Sequence, residues 1–424
     1  MKFGQGTQLN LLNTIMIINK QQIIDNFFVF ALIVFSSNAS FISSDEIYIS
    51  LFFLFTLGYA IKKRIFQFSS KQLFSILFLV IFIIGYYYVA NSSINIVTWV
   101  GWLIKIILAI LIVRINKSQF IDNFIKVVCF LTIVSFFGYV LQLLVPDLLF
   151  KFNNLFGMDS RGNSNSLFFN FTRVHPIRNS GCMWEPGAFA ALLIIALLLL
   201  QFYSSEKKPR EKIIISLGLL TTISTTGYLL LGLILLFNFL NNYKGRVKVI
   251  GLAIFFPVGM YLFYNSQVLS GKISAQLEGI EEEADKASKN PDYIVGVTRF
   301  TSVIIDFPTF LERPLLGYGV DIQTTGKNSL YKIYGANVIR SSGLFYLLLV
   351  FGVFGLIIYL GLLYRNLQHF SKNHLITIFT TLCILFIIFS NPMEFSPIIL
   401  ILFNVKRSKQ NTGTNHFNKK IAQF

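Results

Sequence analysis

The chain has 424 residues, of which 54% are hydrophobic and 13% charged, with a formal net charge of +17. Soluble domains carry about 25% charged residues, so this apolar surplus exceeds what a globular core hides and places much of the chain in lipid. Continuous apolar runs such as 73–90 and 124–145 reach the roughly 20 residues of a spanning helix, and backbone groups in hydrocarbon must pair within their own segment. The expected fold is an all-α polytopic membrane protein. The charge does not point to nucleic acid, because basic residues cluster in short connections: 61–64, 206–212, 241–248, 364–374 and 405–409. The positive-inside bias puts these in the cytoplasm.

In chain order, a cytoplasmic N-terminal segment covers 1–26, with no cleavable signal peptide expected. Five spans follow within 27–146, near 27–43, 47–61, 72–90, 94–114 and 124–146. Lys105 falls near the middle of the fourth, a long way from either surface, and is expected to pair inside the bundle. The first outer loop, 147–182, holds four basic and two acidic side chains. Spans six to nine occupy 183–267. Within them, 213–240 lies between basic flanks, so an even number of crossings is required. A short hairpin whose polar tip, "TTISTTG", sits below the outer surface meets that requirement. The second outer loop, 268–341, carries eight basic and nine acidic side chains. Spans ten to twelve (343–364, 375–391 and 395–404) fill 342–404, and a basic cytoplasmic tail covers 405–424. The total is about twelve helices with two larger loops on one face.

Three cysteines, Cys129, Cys182 and Cys383, form neither a disulfide framework nor a metal spacing. The acidic run at 278–289 has carboxylate and lysine pairs one turn apart, the pattern of a solvated helix. No metal or other cofactor is expected. His175 reads as a solvated loop residue. Trp184 and the many tyrosines suit either sugar stacking or a place at the membrane interface.

Charge at the lip of a membrane helix stands out in "RNSGCMWEPGAFA", residues 178–190. Pro186 in a first helical turn costs no hydrogen bond, and Glu185 there meets the positive end of the helix dipole. Arginine's planar fork matches phosphate and keeps its charge. Arg173, Arg178, Arg299, Arg313 and Arg340 all fall in the two outer loops, so a cationic recess for an anionic lipid headgroup is expected on that face.

The Arg-x-x-Gly-x-x-x-Glu-Pro pattern of 178–186 resembles a signature of Wzy-type polymerases of O-antigen and capsular polysaccharide. The stretch 299–321, with Pro314, Gly317 and Gly319, resembles the outer-loop segment of the wider O-antigen ligase and polymerase superfamily. "TTISTTG", with Ser224, resembles a Thr-x-Ser-Arg-x-Gly element of that superfamily, and 343–360 resembles its next helix. Two departures stand out: Thr225 replaces an arginine, and Ala336-Asn337 replaces the His-Asn pair of the ligase branch.

The resemblance implies a GT-C-like inner-membrane glycosyltransferase that joins oligosaccharide repeat units carried on undecaprenyl pyrophosphate. Glu185 would serve as base with Arg178 beside it as a catalytic group. Arg173, Arg299, Arg313, Arg340, Gly317, Gly319 and Ser224 would bind the pyrophosphate or substrate. A chain-length regulator is a candidate partner. The alternatives are a ligase transferring glycan to lipid A core and a flippase of lipid-linked oligosaccharide.

Overall fold

A computed structural model describes residues 20–37, 39, 46–65, 85, 96–146, 164–165, 167–172, 175–204, 208–242, 245, 295–296, 299–319, 338–339 and 342–404. These residues are mostly helical: α1 (Lys20–Ser36), α2 (Glu46–Lys62), α3 (Ile96–Asn116), α4 (Phe120–Leu144), α5 (Pro186–Phe202), α6 (Pro209–Thr221), α7 (Thr225–Asn242), α8 (Arg299–Glu312), α9 (Gly343–Ser371), α10 (His374–Ser390) and α11 (Pro397–Leu400). Two small ladders accompany them. Strands β1 (Ser164–Asn165) and β2 (Asn170–Phe171) pair antiparallel in the first loop, and β3 (Val295–Gly296) and β4 (Val338–Ile339) pair parallel around the second.

Helix α5 is the axis of the bundle. Every residue from Pro186 to Leu200 is buried, and α4, α6, α7 and α10 pack around it. A helix apolar on all sides belongs in such a position. Outward faces of the surrounding helices keep large apolar side chains exposed, among them Leu54, Phe137, Leu144 and Ile357, as lipid-facing surfaces do.

Among the described residues, three helical stretches, Val97–Leu144, Thr225–Asn242 and Gly343–His369, are long and apolar enough to cross a membrane. Shorter apolar helices, Gln21–Ser36, Ile47–Lys62, Pro186–Phe202 and His374–Ser390, join them. This is a helical membrane architecture, but it does not match twelve crossings. The expected spans at 72–90 (apart from Gly85) and 248–267 lie outside the described residues, as do the acidic run at 278–289 and the tail after 404.

The first helix begins at Lys20 rather than near residue 27, because its polar start is satisfied. Gln21 donates to Asp25 at 2.7 Å and to the Tyr59 hydroxyl at 3.2 Å. The expected twelfth span is one turn of α-helix followed by a 3-10 turn, Ile401–Phe403. At 1.5–2.0 Å per residue these cover about 12 Å, far short of a crossing. The segment is instead a buried return, with Ile398, Ile399 and Ile401 fully covered against α1 and α3.

The expected tenth span is also not one helix. Gly352 has φ 66° and ψ −171°, which breaks α9 into a short limb, 343–351, and a long limb, 353–371. Gly343 lies against the Glu394 side chain, while the Tyr359 hydroxyl donates to the Glu394 carbonyl at 3.0 Å. Sixteen residues of straight helix would separate these positions by about 24 Å, too far for one residue to bridge. So α9 folds back at Gly352 as a V. The segment after α8 stitches the apex: Val353 and Phe354 donate to the carbonyls of Pro314 and Leu315 at 2.8 and 3.1 Å. In return, Tyr318 and Gly319 donate to those of Leu349 and Val350 at 2.7 and 3.0 Å. Backbone freed by a helix break inside a membrane protein needs such partners.

The two ends of the bundle differ in charge. One gathers Lys63 and Lys117 near Asp25 and Lys208 against Asp122 at 2.5 Å. Helix α10 ends where α5 begins, so its start at His374, beside Arg365 and Lys372, shares that basic end. The basic connections at 61–64, 208–212 and 364–374 thus share one side, while 405–409 and most of 241–248 lie outside the described residues.

Candidate functional site at the mouth of α5

The opposite end collects the start of α5, the tip between α6 and α7, the turn after α10 and the start of α9. The approach to α5 is held by a polar network. Asn179 donates from its side chain to Ser135 Oγ at 3.1 Å and Thr221 Oγ1 at 2.9 Å, and from its backbone to the Thr221 carbonyl at 3.0 Å. Its own Oδ1 accepts from Gly181 N at 2.8 Å, where φ is 52° and a Cβ would meet the Phe189 ring at 2.5 Å. Gln142 of α4 donates to the Pro176 carbonyl at 2.7 Å. Fully buried amides of this kind fix a loop in one conformation because every partner lost is costly.

On that frame sit the two leading candidates. Arg178 donates through Nε to the carbonyl of Thr222 at 3.1 Å, which ties the first loop to the hairpin tip. Glu185 occupies the N-cap of α5 in extended conformation, without a side-chain cap bond. Its carboxylate meets the turn after α10 instead. In the amide orientation that satisfies its neighbours, Asn391 donates to Glu185 Oε1 at 3.1 Å and to the Ser390 carbonyl at 3.2 Å. The Ser390 hydroxyl in turn accepts from Thr226 Oγ1 at 3.1 Å. Ser224 is buried at the start of α7, where its Oγ accepts from Gly227 N at 3.3 Å. Arg178, Glu185 and Ser224 therefore belong to one constellation, although they come from two segments of chain.

Among the other candidates, Arg313, Gly317 and Gly319 belong to the segment that docks on the apex of α9. Arg313 is exposed and lies over the Tyr318 ring at 4.9 Å. The Tyr318 hydroxyl donates to Glu312 at 2.5 Å; burial, reinforced by that carboxylate, raises its pKa. Gly317 and Gly319 have φ of 70° and 83°, and a Cβ on Gly317 would meet the Leu349 carbonyl at 2.6 Å. Their amides donate to the carbonyls of Arg313 and Val350. What requires glycine here is docking onto the apex of α9, and neither N–H is left for an anion. Arg299 starts α8. Arg173 and Arg340 lie outside the described residues. His175 is half-buried and donates from its backbone to Thr172 Oγ1 at 3.3 Å.

Sequence reasoning missed the turn after α10, "SNPMEFSP". It runs between α10 and α11, outside the spanning helices, and Glu394 in it is only 6% exposed. Burial pushes the Glu394 carboxyl up to about 7, against the pull of Lys105. Lys105 of α3 is near enough for its charge to act on this acid. Glu394 Oε2 and Ser342 Oγ are buried and without hydrogen-bond partners. An acid enclosed by apolar runs is itself a functional signal, and "NPMEF" carried it. Aromatic rings wall this side: Trp102 stacks on Phe395 at 4.1 Å, and Phe351 at the α9 apex lies 5.8 Å from Trp102.

All three cysteines are free and buried; burial takes the Cys182 thiol up to about 12, so it is inert beside the mouth. Among the described residues no group of His, Cys, Asp and Glu could hold a metal. A polar cleft of about 600 Å³ opens at the basic end, lined by Gln21, Asp25, Asp122, Lys126, Lys208 and Arg210 among others, away from the mouth of α5.

No protein-family model matches the chain, and no curated protein matches it.

Proposed function

We propose that this protein is a polymerase of the Wzy type. In this reading it joins undecaprenyl-pyrophosphate-linked repeat units into O-antigen or capsular polysaccharide at the outer face of a bacterial inner membrane. The observation that carries the reading is the meeting of Arg178 and Glu185 with the hairpin tip and the α10 turn at one mouth, opposite the basic end. A lipid carrier reaches such a mouth sideways through the bilayer while its sugars remain in the loops. As the anomeric carbon–oxygen bond breaks, charge grows on the pyrophosphate, and an arginine preorganised beside low-dielectric helix stabilises it. Arg178 takes that part, with Arg299, Arg173 and Arg340 of the outer loops as further contacts. The amides of Gly317 and Gly319 have no part in it.

Purified protein in nanodiscs, given only lipid-linked repeat units, lengthens them. Transfer solely to lipid A core identifies a ligase, and movement between leaflets without chain growth identifies a flippase. Arg178→Ala reduces extension at least about 100-fold, the scale of a lost transition-state donor, and Glu185→Ala reduces it about as much through loss of its carboxylate, while the protein still accumulates in the membrane. Normal polymer lengths from both variants remove the site assignment.

A further inference from the structure

The mouth of α5 holds a second carboxylate that the resemblance does not supply. Glu394 is connected to Glu185 through Asn391, which donates to Glu185 Oε1 at 3.1 Å and whose carbonyl accepts from Met393 N at 2.8 Å. Its Oε2 lies against Gly343, where any Cβ would overlap it, and beside the N-terminus of the short limb of α9. Neither that helix end nor the Ser342 hydroxyl donates to it. A buried carboxylate oxygen without a donor is costly, and the chain has glycine where a side chain would have displaced it.

We propose that Glu394 is the catalytic base of the glycosyl transfer, an assignment that rests on the polymerase reading. Glu185 then holds Asn391, and with it the Glu394 turn, in place. In the step, Glu394 takes the proton of the acceptor hydroxyl as that oxygen forms its bond to the anomeric carbon. The bond from that carbon to the pyrophosphate oxygen breaks with its electron pair, leaving a lipid pyrophosphate beside Arg178 and a protonated Glu394. The proton leaves to solvent before the next turn. Oε2 becomes accessible when Ser342–Gly343 moves away from it, a displacement of the 343–351 limb. The groups facing Glu394 are Lys105 from α3, Tyr359 from the long limb of α9, Ser342 before α9, and Asn391 with Glu185 behind it. A carboxyl raised to about 7 matches the range in which a general base works best.

The test is chain extension by the full-length protein in nanodiscs, measured from pH 5.5 to 9 with lipid-linked repeat units, alongside binding of the same lipid. Wild-type rate falls as pH drops below about 7, because the base becomes protonated. Glu394→Gln loses at least about 100-fold at every pH, with lipid binding retained within threefold, whereas Glu394→Asp keeps measurable extension with a displaced acid limb. If Glu394→Gln does not accumulate, Lys105→Met decides: loss of the ammonium raises the Glu394 pKa and moves the acid limb to higher pH. Wild-type extension with an unchanged limb in Lys105→Met, or extension within threefold by Glu394→Gln, overturns the base assignment and leaves the polymerase reading standing. Absence of extension by wild type removes both.

Discussion

The two ends of the bundle handle charge in opposite ways. At the basic end, charge is paired with charge beside an open polar cleft: Lys208 meets Asp122, with 11% and 32% of their side chains exposed. At the mouth of α5, Arg178 and Glu185 are half-buried and held by a backbone carbonyl and a neutral amide, and Glu394 is nearly enclosed. Solvated charge sets orientation in the membrane and is individually cheap to lose. Enclosed charge is expensive, so a fold that keeps it is using it.

Three substitutions sharpen or break this contrast. The largest effect on stability is expected from Gly352→Ala at the apex of α9. Its φ and ψ lie where side chains are strained, and a Cβ would overlap the Leu315 backbone. A loss of about 3 kcal/mol or more follows from strain together with disrupted docking. Thermal melting in detergent measures it; an unshifted melt shows that the apex does not need its glycine.

Next is Glu394→Gln, read as stability rather than activity. The folded-state pKa is raised from 4.5 to about 7, so the acid favours the fold when protonated and that contribution is lost as pH rises through this window. Wild type should melt progressively lower from pH 5 to pH 8, and the variant should hold its melting point. The gap at pH 8 is at most about 3 kcal/mol. Parallel pH curves for the two proteins place Glu394 in a wet site. Smallest is Lys208→Ala at the basic end, which costs less than about 1 kcal/mol and leaves extension unchanged. A large loss there erases the distinction between the ends.

Much of the architecture was legible because hydropathy is a strong and local signal. The starts and ends of α2, α3, α4, α5 and α10 follow apolar runs bounded by polar or basic residues. The hairpin at 213–240 follows from charge parity, and its observed turn at Thr222–Ser224 falls within "TTISTTG". What stayed hidden depends on partners distant in sequence. The break at Gly352 sits inside an unbroken apolar run, and it exists because 313–319 supplies hydrogen bonds from another part of the chain. The return at 397–403 looks like a short span until α1 and α3 cover it. At the mouth, Glu185 and Arg178 were conspicuous because they interrupt an apolar segment. Asn179 and Asn391, which position them, look like ordinary loop asparagines until their partners are known. Gly317 and Gly319 show the converse: a glycine pair suggestive of phosphate is explained by a backbone approach no local pattern contains.

The stitched apex of α9 has a consequence for biogenesis. Residues 313–319 leave the ribosome before 349–354, so the donors and acceptors that the broken helix needs are made first and must wait for it. A translocon that released the long limb of α9 into lipid ahead of this union would expose bare peptide groups to hydrocarbon. Membrane insertion of α9 and capture of its upstream clasp therefore form a single event, and a chain interrupted between these two segments would stall with neither half able to settle.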